Sequence, residues 1–412
     1  MVHRNGLDAA AEGVSLVQSG SIAAIPGQEA KWGLLRFLWS HSTLPLLRQC
    51  HRSAWGPLTV WSNGSGAWFK GYCQCHSVWA CPVCAPLIRQ GRATVLGDDL
   101  VRHLSGDGGL CFVTMTTRHG VSHSLDETFS AVADGWRDVT AHRLVKEFRR
   151  RHPFEFLRVI ECTHGTANGW HPHLHLIVAS AEPWSVAVRA EFKRVAYAAW
   201  AASMERAGLG RPSFRRGVDC VWGDAGAADY VMKVHQSSQE MLRLDTKTKK
   251  SGRHSTEPPF ALLARAASGD GSALSLWRDW EQATKGRKMM TFSRGWRRLM
   301  DSSPDLTDSE AIELAQVNGL DSWEVGALPG RVGVLVARHP RGFEIVLTGA
   351  ADGSAEGLAA AVSLLWGTAP YEVLSGIEKL FTGVALPPEL VPDVMPDVVQ
   401  LQLGPGDDGG MF

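Results

Sequence analysis

Apolar positions along the chain predict strands in three places, with amphipathic helices around them. The runs LCFVTMTT (110–117), FEFLRVIECT (154–163) and HPHLHLIVA (171–179) are rich in β-branched, aromatic and other apolar residues and predict buried strands. HGTANG, which joins the last two runs, has the Gly and Asn content of a hairpin loop. The pattern predicts helices over 85–104, 124–151 and 184–210. This mixture predicts an α+β fold.

Further elements are predicted after the third strand, and the composition of the chain becomes acidic from about residue 300. The pattern predicts a strand around GVDCVWG, a helix opening near Asp224, a lysine-rich loop at DTKTKKSGRH and a strand pair in RVGVLVARHPRGFEIVLTG (331–349). The boundaries define an unassigned N-terminal segment (1–44), a cysteine-rich subdomain (45–105), a central domain (106–305) and an acidic accessory module (306–412).

Charge is distributed unevenly, although the 412-residue chain has a formal net charge of +0. Residues 136–300 contain 28 Lys and Arg against 16 Asp and Glu, whereas residues 301–412 contain 4 against 17. A basic block of this kind is typical of a protein with a polyanionic partner such as nucleic acid. The alternative, on charge alone, is a solvated basic surface. The acidic block is expected to be a separate module.

The N-terminal sequence and the apolar runs indicate where the protein resides. MVHRNGLDAAAEG lacks the apolar core of a secretory signal peptide. No apolar run approaches the roughly 20 residues that cross a bilayer. We therefore expect a cytoplasmic protein without a membrane partner.

Five of the eight cysteines fall within residues 50–84, which is typical of a metal site in a reducing compartment. Cys81-Pro-Val-Cys84 has the spacing with which two thiolates bind one tetrahedral Zn²⁺. Cys50 and Cys75 complete a four-ligand set, for which Cys73 or His76 could replace Cys50. The alternative is a set of buried thiols without metal. The first interpretation predicts a structural Zn²⁺ that stabilises a small subdomain.

The third predicted strand carries histidines at alternate positions. His173 and His175 share one face of an extended strand, and Leu174 and Leu176 face the core. A hairpin with 164–170 as its loop places Glu161 opposite His173. This donor set suits Mg²⁺ or Mn²⁺ when phosphate oxygens complete the shell. His171 is a further candidate, although Pro172 is expected to turn it away, and the alternative is a row of surface histidines.

The chain has four tyrosines, and Tyr230 is the candidate nucleophile. It lies in DAGAADYVMKV, early in a predicted helix of the basic block. Lys233 follows three residues later and shares a helix face with it. The ammonium could lower the pKa of the phenol or hold a phosphate. The alternative for Tyr230 is an ordinary core residue of an amphipathic helix.

FVTMTTRHG (112–120), VIECTHGTANGWHPHLHLIV (159–178) and YVMKV (230–234) together resemble the three motifs of the HUH-endonuclease Rep proteins. These proteins start rolling-circle replication of small plasmids, and the likeness is greatest to the actinomycete plasmid initiators. CQCHSVWACPVCA and ATKGRKMMTFSRGWRRL also fit that family. The resemblance covers roughly residues 45–305.

The resemblance implies an HUH-endonuclease core, in which helices flank a central antiparallel sheet, and a metal-dependent, site-specific DNA nickase. Mg²⁺ or Mn²⁺ at Glu161, His173 and His175 would polarise the scissile phosphate of single-stranded or hairpin origin DNA. Tyr230 would form a 5′-phosphotyrosine link, with Lys233 neutralising phosphate charge. The freed 3′-OH would prime the host polymerase, and a host helicase is the other expected partner.

The basic loops 243–253 and 285–298 are expected to contact DNA phosphates, with Trp296 as a base-stacking partner. The expected DNA-binding residues are Lys247, Lys249, Lys250, Arg287, Lys288, Arg294, Trp296 and Arg297. One position departs from the family: Gly226 stands where related initiators carry the Glu that activates water. Neither Asp224 nor Asp229 replaces it cleanly on a helix.

Two other functions fit parts of this pattern. The same chemistry serves relaxases and transposases in DNA transfer, but relaxases usually carry their tyrosine ahead of the histidines. A zinc-bearing DNA-binding regulator with a degenerate metal strand would need no tyrosine chemistry at all. Residues 306–412 are expected to be an interaction module whose removal leaves nicking intact.

Overall fold

The central predicted strands pair with one another because their apolar faces need a common core. The computed structural model describes residues 28–223, 256–302 and 305–380. The strands in this part of the chain are β1 (Ala54–Ser62), β2 (Ala67–Tyr72), β3 (Gly109–Thr116), β4 (Glu155–Gly165), β5 (Gly169–Ser180), β6 (Val218–Gly223), β7 (Thr256–Glu257), β8 (Met290–Phe292) and β9 (Trp323–Leu328).

Helices surround the strands. They are α1 (Gln28–His41), α2 (Cys84–Ser105), α3 (Leu125–Ala141), α4 (Arg143–Arg151), α5 (Val186–Arg206), α6 (Phe214–Gly217), α7 (Pro259–Ala267), α8 (Gly271–Thr284), α9 (Trp296–Met300), α10 (Asp308–Val317), α11 (Gly330–Arg338), α12 (Gly342–Gly349), α13 (Ala355–Thr368) and α14 (Tyr371–Leu380), with a 3-10 turn at Leu47–Gln49. None of these helices combines the length and apolar character that a bilayer crossing needs.

The larger sheet has the antiparallel order β6-β3-β5-β4-β7, and β8 also pairs with β4. The predicted α+β class with a central antiparallel sheet is therefore confirmed. The expected helix over 124–151 is divided into α3 and α4, because His142 has extended backbone angles, φ −66 and ψ 137. Its side chain accepts a hydrogen bond from Leu144 N and so caps the second helix.

The hairpin between β4 and β5 sets which side chains share a face. Its ladder runs from Glu155 opposite Ala179 to Gly165 opposite Gly169. The connecting turn is therefore shorter than the expected loop over 164–170. Gly169 has a φ of +73, which favours glycine at this position. The predicted register is present, with Glu161 directly opposite His173.

One face of this sheet is covered by α3 and α5. Leu174 and Leu176 are fully buried there. Trp200 of α5 donates from Nε1 to the carbonyl of Thr116 at 2.8 Å, which fixes the helix against β3. Because side chains alternate along a strand, the histidines of β5 project to the other face.

A smaller antiparallel sheet has the order β2-β1-β9. Its third strand comes from the acidic block, and Leu58 of β1 pairs with Leu328 of β9. The Tyr72 hydroxyl donates to the carbonyl of Gly333 at 2.7 Å. The cysteine-rich subdomain and the acidic block thus share one sheet and one core. Removal of residues 306–412 would uncover β1 and its buried face.

The expected strand pair within residues 331–349 is wrong, because this segment forms the helices α11 and α12. Its buried apolar residues, Val332, Leu335 and Val336 in the first helix and Phe343, Val346 and Leu347 in the second, have the spacing of helix faces. The β-branched residues suggested strands, but the packing against the small sheet favours helices.

The contact between α2 and α10 can be tested at a glycine. A Cβ on Gly91 would lie 2.0 Å from the carbonyl oxygen of Ala311. We expect Gly91→Ala to lower the free energy of unfolding by about 1–3 kcal/mol, because the helices must separate. Gly33 of α1 has open space around it, so Gly33→Ala should instead raise this free energy by about 0.5–1 kcal/mol. Denaturant titrations measure both, and an unchanged midpoint for Gly91→Ala would contradict this packing.

Candidate functional site

Three of the predicted ligand side chains meet on the face of the large sheet opposite α3 and α5. His175 Nε2 lies 2.8 Å from Glu161 Oε2. His173, directly opposite Glu161, has its ring centroid 6.2 Å from that of His175. Glu161 is only 6% exposed, so its carboxylate is held in a partly desolvated position. The structure therefore brings the predicted carboxylate and both imidazoles to one surface.

β3 lines the other side of the histidine strand. Thr114 pairs with His175 and Thr116 pairs with His173, so both threonines project to the histidine face. Thr114 Oγ1 lies 3.2 Å from His175 Nδ1, which orients that ring through its second nitrogen. Sequence reasoning did not assign these threonines. The alternation Thr-Met-Thr in the first motif was the signal that could have identified them.

His173 has a ring nitrogen without a partner. Its Nδ1 is buried and makes no hydrogen bond within the described part of the chain. Burial, together with the neighbouring His171 and His175, lowers the pKa of His173 to about 3. A neutral imidazole is the form that binds a metal ion. The donor set of two imidazoles and one carboxylate therefore fits a divalent cation.

The three side chains are close but are not drawn together around a common point. Among the described residues, only a group of cysteines has three or more metal-ligand side chains whose ligand atoms all lie within 4.8 Å of one another. At the histidine face, Glu161 and His175 contact each other directly. A cation shared by both groups would have to separate this contact.

A further histidine pair extends the row. His171 Nδ1 lies 3.2 Å from His119 Nε2, and the ring of His171 packs edge-on against His173 with centroids 4.1 Å apart. Pro172 therefore does not turn His171 away from the face, contrary to expectation. Burial, and then the nearby His119, lowers the pKa of His171 to about 4. His119, which no sequence argument assigned, comes from the loop after β3.

The cysteine group consists of Cys50, Cys75, Cys81 and Cys84, whose sulfur atoms lie within 4.8 Å of one another. Cys50 Sγ is 3.7 Å from Cys81 Sγ and 3.6 Å from Cys84 Sγ. Four thiolates in this arrangement can bind a metal such as zinc. These are the four residues of the predicted zinc site.

Local structure explains the choice of cysteines. Cys84 is the first residue of α2, and its backbone N–H donates to Cys81 Sγ at 3.3 Å. Cys73 is instead held by the chain next to β2, where its N–H donates to the carbonyl of Ser53 and its carbonyl accepts from His51 N–H, each at 2.8 Å. The sulfur of Cys73 is not among the four that lie together.

The electrostatics of the group favour one thiolate at Cys81. Burial opposes its ionisation, but hydrogen bonds from the other three thiols outweigh burial and hold the pKa of Cys81 well below its usual range. Hydrogen bonding within the group, chiefly to Cys75, raises the pKa of Cys50. His51 Nδ1 lies 3.2 Å from Cys50 Sγ, as a ring nitrogen near a metal-binding sulfur would.

The candidate nucleophile and part of the predicted DNA-binding set lie outside the part of the chain that the structure describes. Tyr230, Lys233, Lys247, Lys249 and Lys250 lie outside the described residues, as does Gly226. Of the remaining predicted DNA-binding residues, Arg287 and Lys288 precede β8, Arg294 lies between β8 and α9, and Trp296 and Arg297 begin α9.

Trp296 does not fit its expected role. It is 1% exposed and packs against Phe292 with ring centroids 5.6 Å apart, so neither face is free for a nucleobase.

Arg287 donates to Asp126 at 2.7 Å and Arg297 pairs with Asp305 at 2.9 Å. Lys288 and Arg294 are exposed, and Arg294 lines a groove with Arg149 and Arg298.

Curated proteins of Streptomyces are similar to the chain. A protein of Streptomyces lividans named "Protein rep" is 27% identical over 355 residues, covering 69% of this chain and 76% of that protein. The chain is similar to a Rep protein. This match confirms the resemblance that the motifs indicated. A "Neomycin resistance protein" of Streptomyces cyanogenus is 26% identical over 133 residues, 26% of this chain and 30% of that protein. No protein-family model and no solved structure matches the chain significantly.

Metal content can test the cysteine group. We expect the purified protein to contain about one equivalent of zinc and Cys81→Ser to lose it, because three thiolates and a hydroxyl bind zinc far more weakly. Cys73→Ser, which changes a buried neighbour outside the group, should keep its zinc. Elemental analysis by mass spectrometry gives both values. Zinc loss in Cys73→Ser with retention in Cys50→Ser would show that the ligand set is the alternative one.

Proposed function

We propose that this protein is an HUH-type replication initiator that nicks one strand of origin DNA. The observation that carries the proposal is the shared face of Glu161, His173 and His175, with Glu161 in the predicted register opposite His173. The similarity to a Rep protein over most of both chains supports it. The basic central block supplies charge that suits a DNA partner.

The proposed reaction is a transesterification. The Tyr230 oxygen attacks the scissile phosphorus, a new P–O bond to the phenol forms, and the bond to the 3′ oxygen breaks. The products are a 5′-phosphotyrosine link and a free 3′-OH that can prime a polymerase. The bond energy is retained, so the strand can be resealed without ATP. Lys233 would neutralise charge on the phosphate.

At the histidine face, the residues of this chain would bind the cation and orient it toward the phosphate. Bound Mg²⁺ or Mn²⁺ would supply Lewis-acid polarisation of the phosphate oxygens. Thr114 holds the second nitrogen of His175, so that Nε2 faces Glu161 and the site. The Nδ1 of His173 is buried and has no hydrogen-bond partner among the described residues, which adds support for a ligand at this face.

Gly226 bears on how the covalent intermediate is released after nicking. Without a carboxylate at this position, the chain lacks the group that activates water in related initiators. We therefore expect the covalent intermediate to be released by a second strand transfer and only slowly by hydrolysis. The zinc group would serve as structural support, because three of its four cysteines are buried within the subdomain core and Cys75 is half-buried.

Covalent chemistry gives the direct test. We expect the protein, incubated with an origin-bearing single strand and Mn²⁺, to form an adduct that survives SDS. Tyr230→Phe should abolish the adduct, because the attacking oxygen is gone. Tyr371→Phe is the matched control, since Tyr371 is the first residue of α14 and its side chain is 75% exposed. DNA binding without an adduct under any divalent metal would favour the regulator.

Metal binding can be measured without catalysis. We expect His173→Ala and Glu161→Gln each to weaken Mn²⁺ binding by about tenfold or more, because each removes one of three protein ligands. His164→Ala is the control, since His164 lies in the same hairpin but on the opposite face. Electron paramagnetic resonance of free Mn²⁺ reports the affinity. Equal affinities for His164→Ala and His173→Ala would place the cation elsewhere.

A further inference from the structure

The turn before β6 lies beside the histidine face. This turn, α6, ends at Gly217, and Val218 of β6 pairs with Met115 of β3. Thr116 Oγ1 donates to the carbonyl of Arg216 at 2.8 Å. Thr116 is itself directly opposite His173. Because neighbouring strands are about 5 Å apart, the backbone at Arg216 lies about 10 Å from that of His173.

The turn is rigidly held. The Ser213 side chain accepts from Arg216 N–H and caps the turn, and Gly217 N–H donates to the Ser213 carbonyl at 2.6 Å. A Cβ on Gly217 would lie 2.7 Å from Pro212 Cβ, so only glycine allows this close approach. Tyr197 of α5 anchors the same proline through its hydroxyl. The backbone of the turn therefore has a fixed position relative to the histidines.

Phe214 exposes an aromatic ring at this position. Its side chain is 49% exposed, although most large apolar side chains of the described residues are buried. Its ring contacts Tyr197 edge-on, with centroids 4.9 Å apart, and the Lys193 ammonium lies 5.7 Å from the ring centroid. The packing orients the ring without covering it. An exposed aromatic ring among cations is the arrangement on which unpaired bases stack.

Arg215 and Arg216 add positive charge that no described acidic side chain pairs with. Both are exposed, and neither forms an ion pair with another described residue. By contrast, Arg211, just before the turn, pairs with Glu205 at 2.8 Å. An acidic side chain follows at Asp219, which is exposed on β6. The two free guanidinium groups therefore remain available for phosphates.

We propose that Phe214, Arg215 and Arg216 form a ridge that binds single-stranded DNA next to the histidine face. A base would stack on Phe214 while the arginines hold the adjoining phosphates. The partner is single-stranded, because the bases of an intact duplex are stacked on each other and offer no free face. That the bound strand is the one to be nicked rests on the proposed function. The binding of single-stranded DNA by the ridge does not.

Binding without cleavage is the test. The probe is a fluorescent single strand of arbitrary sequence, without added Mg²⁺ or Mn²⁺, and anisotropy gives the affinity. We expect Phe214→Ala to weaken binding by about tenfold and Phe214→Trp to retain it, because stacking needs a ring. Arg215→Ala and Arg216→Ala should each lower the salt dependence of log K by about 0.7, the value for one phosphate on a single strand.

The control is Arg211→Ala, a neighbouring exposed arginine that already has a carboxylate partner. It should leave affinity and salt slope nearly unchanged. Wild-type affinity in Phe214→Ala, with thermal unfolding unaltered, would overturn the ridge. An equal loss for duplex and single strand would also overturn it, because stacking would not be involved. If Tyr230 forms no adduct but these effects appear, the nicking proposal fails and the ridge stands.

Discussion

The alignment of β4 with β5 is the constraint on which the proposed site depends. Side chains alternate along a strand, so a slip by one residue would send Glu161 to the face covered by α3 and α5. The tight turn ending at Gly169 fixes one side of β5, and the ladder with β3 fixes the other. Carboxylate, imidazole and hydroxyl groups from three strands thus form one row because the central strand cannot shift.

The same row organises the surroundings of the site. His173 has Glu161 on one side and Thr116 on the other, and Thr116 in turn holds the backbone of the turn that carries Phe214. The groups proposed to bind metal and DNA are therefore connected through a few hydrogen bonds of one sheet. Movement within the histidine strand would change both. The preorganisation that catalysis needs is supplied here by strand pairing rather than by long loops.

The sequence allowed prediction of what depends on local pattern. The central strands and the Glu161–His173 register follow from spacing that short-range geometry enforces, whereas the choice of Cys50 over Cys73 depends on how the chain folds back onto Cys81 and Cys84. Prediction from the pattern failed where tertiary packing determines the conformation of a segment or the exposure of a side chain. Residues 331–349 suit either a strand or a helix, and their contact with the small sheet selects helices. Trp296 was assigned to DNA by its basic neighbours, yet the core covers it. The exposure of Phe214 depends on α5, which no local signal reports.

The small sheet has a consequence for biosynthesis. Leu58 pairs with Leu328, so β1 emerges from the ribosome long before its second neighbour exists. At typical rates of translation the delay is roughly 15 to 50 seconds. During this time β1 has an open edge that can pair with another nascent chain. Zinc bound to the cysteine group would tie the chain before β1 to the chain after β2, so the hairpin would be held in place while its edge waits for β9.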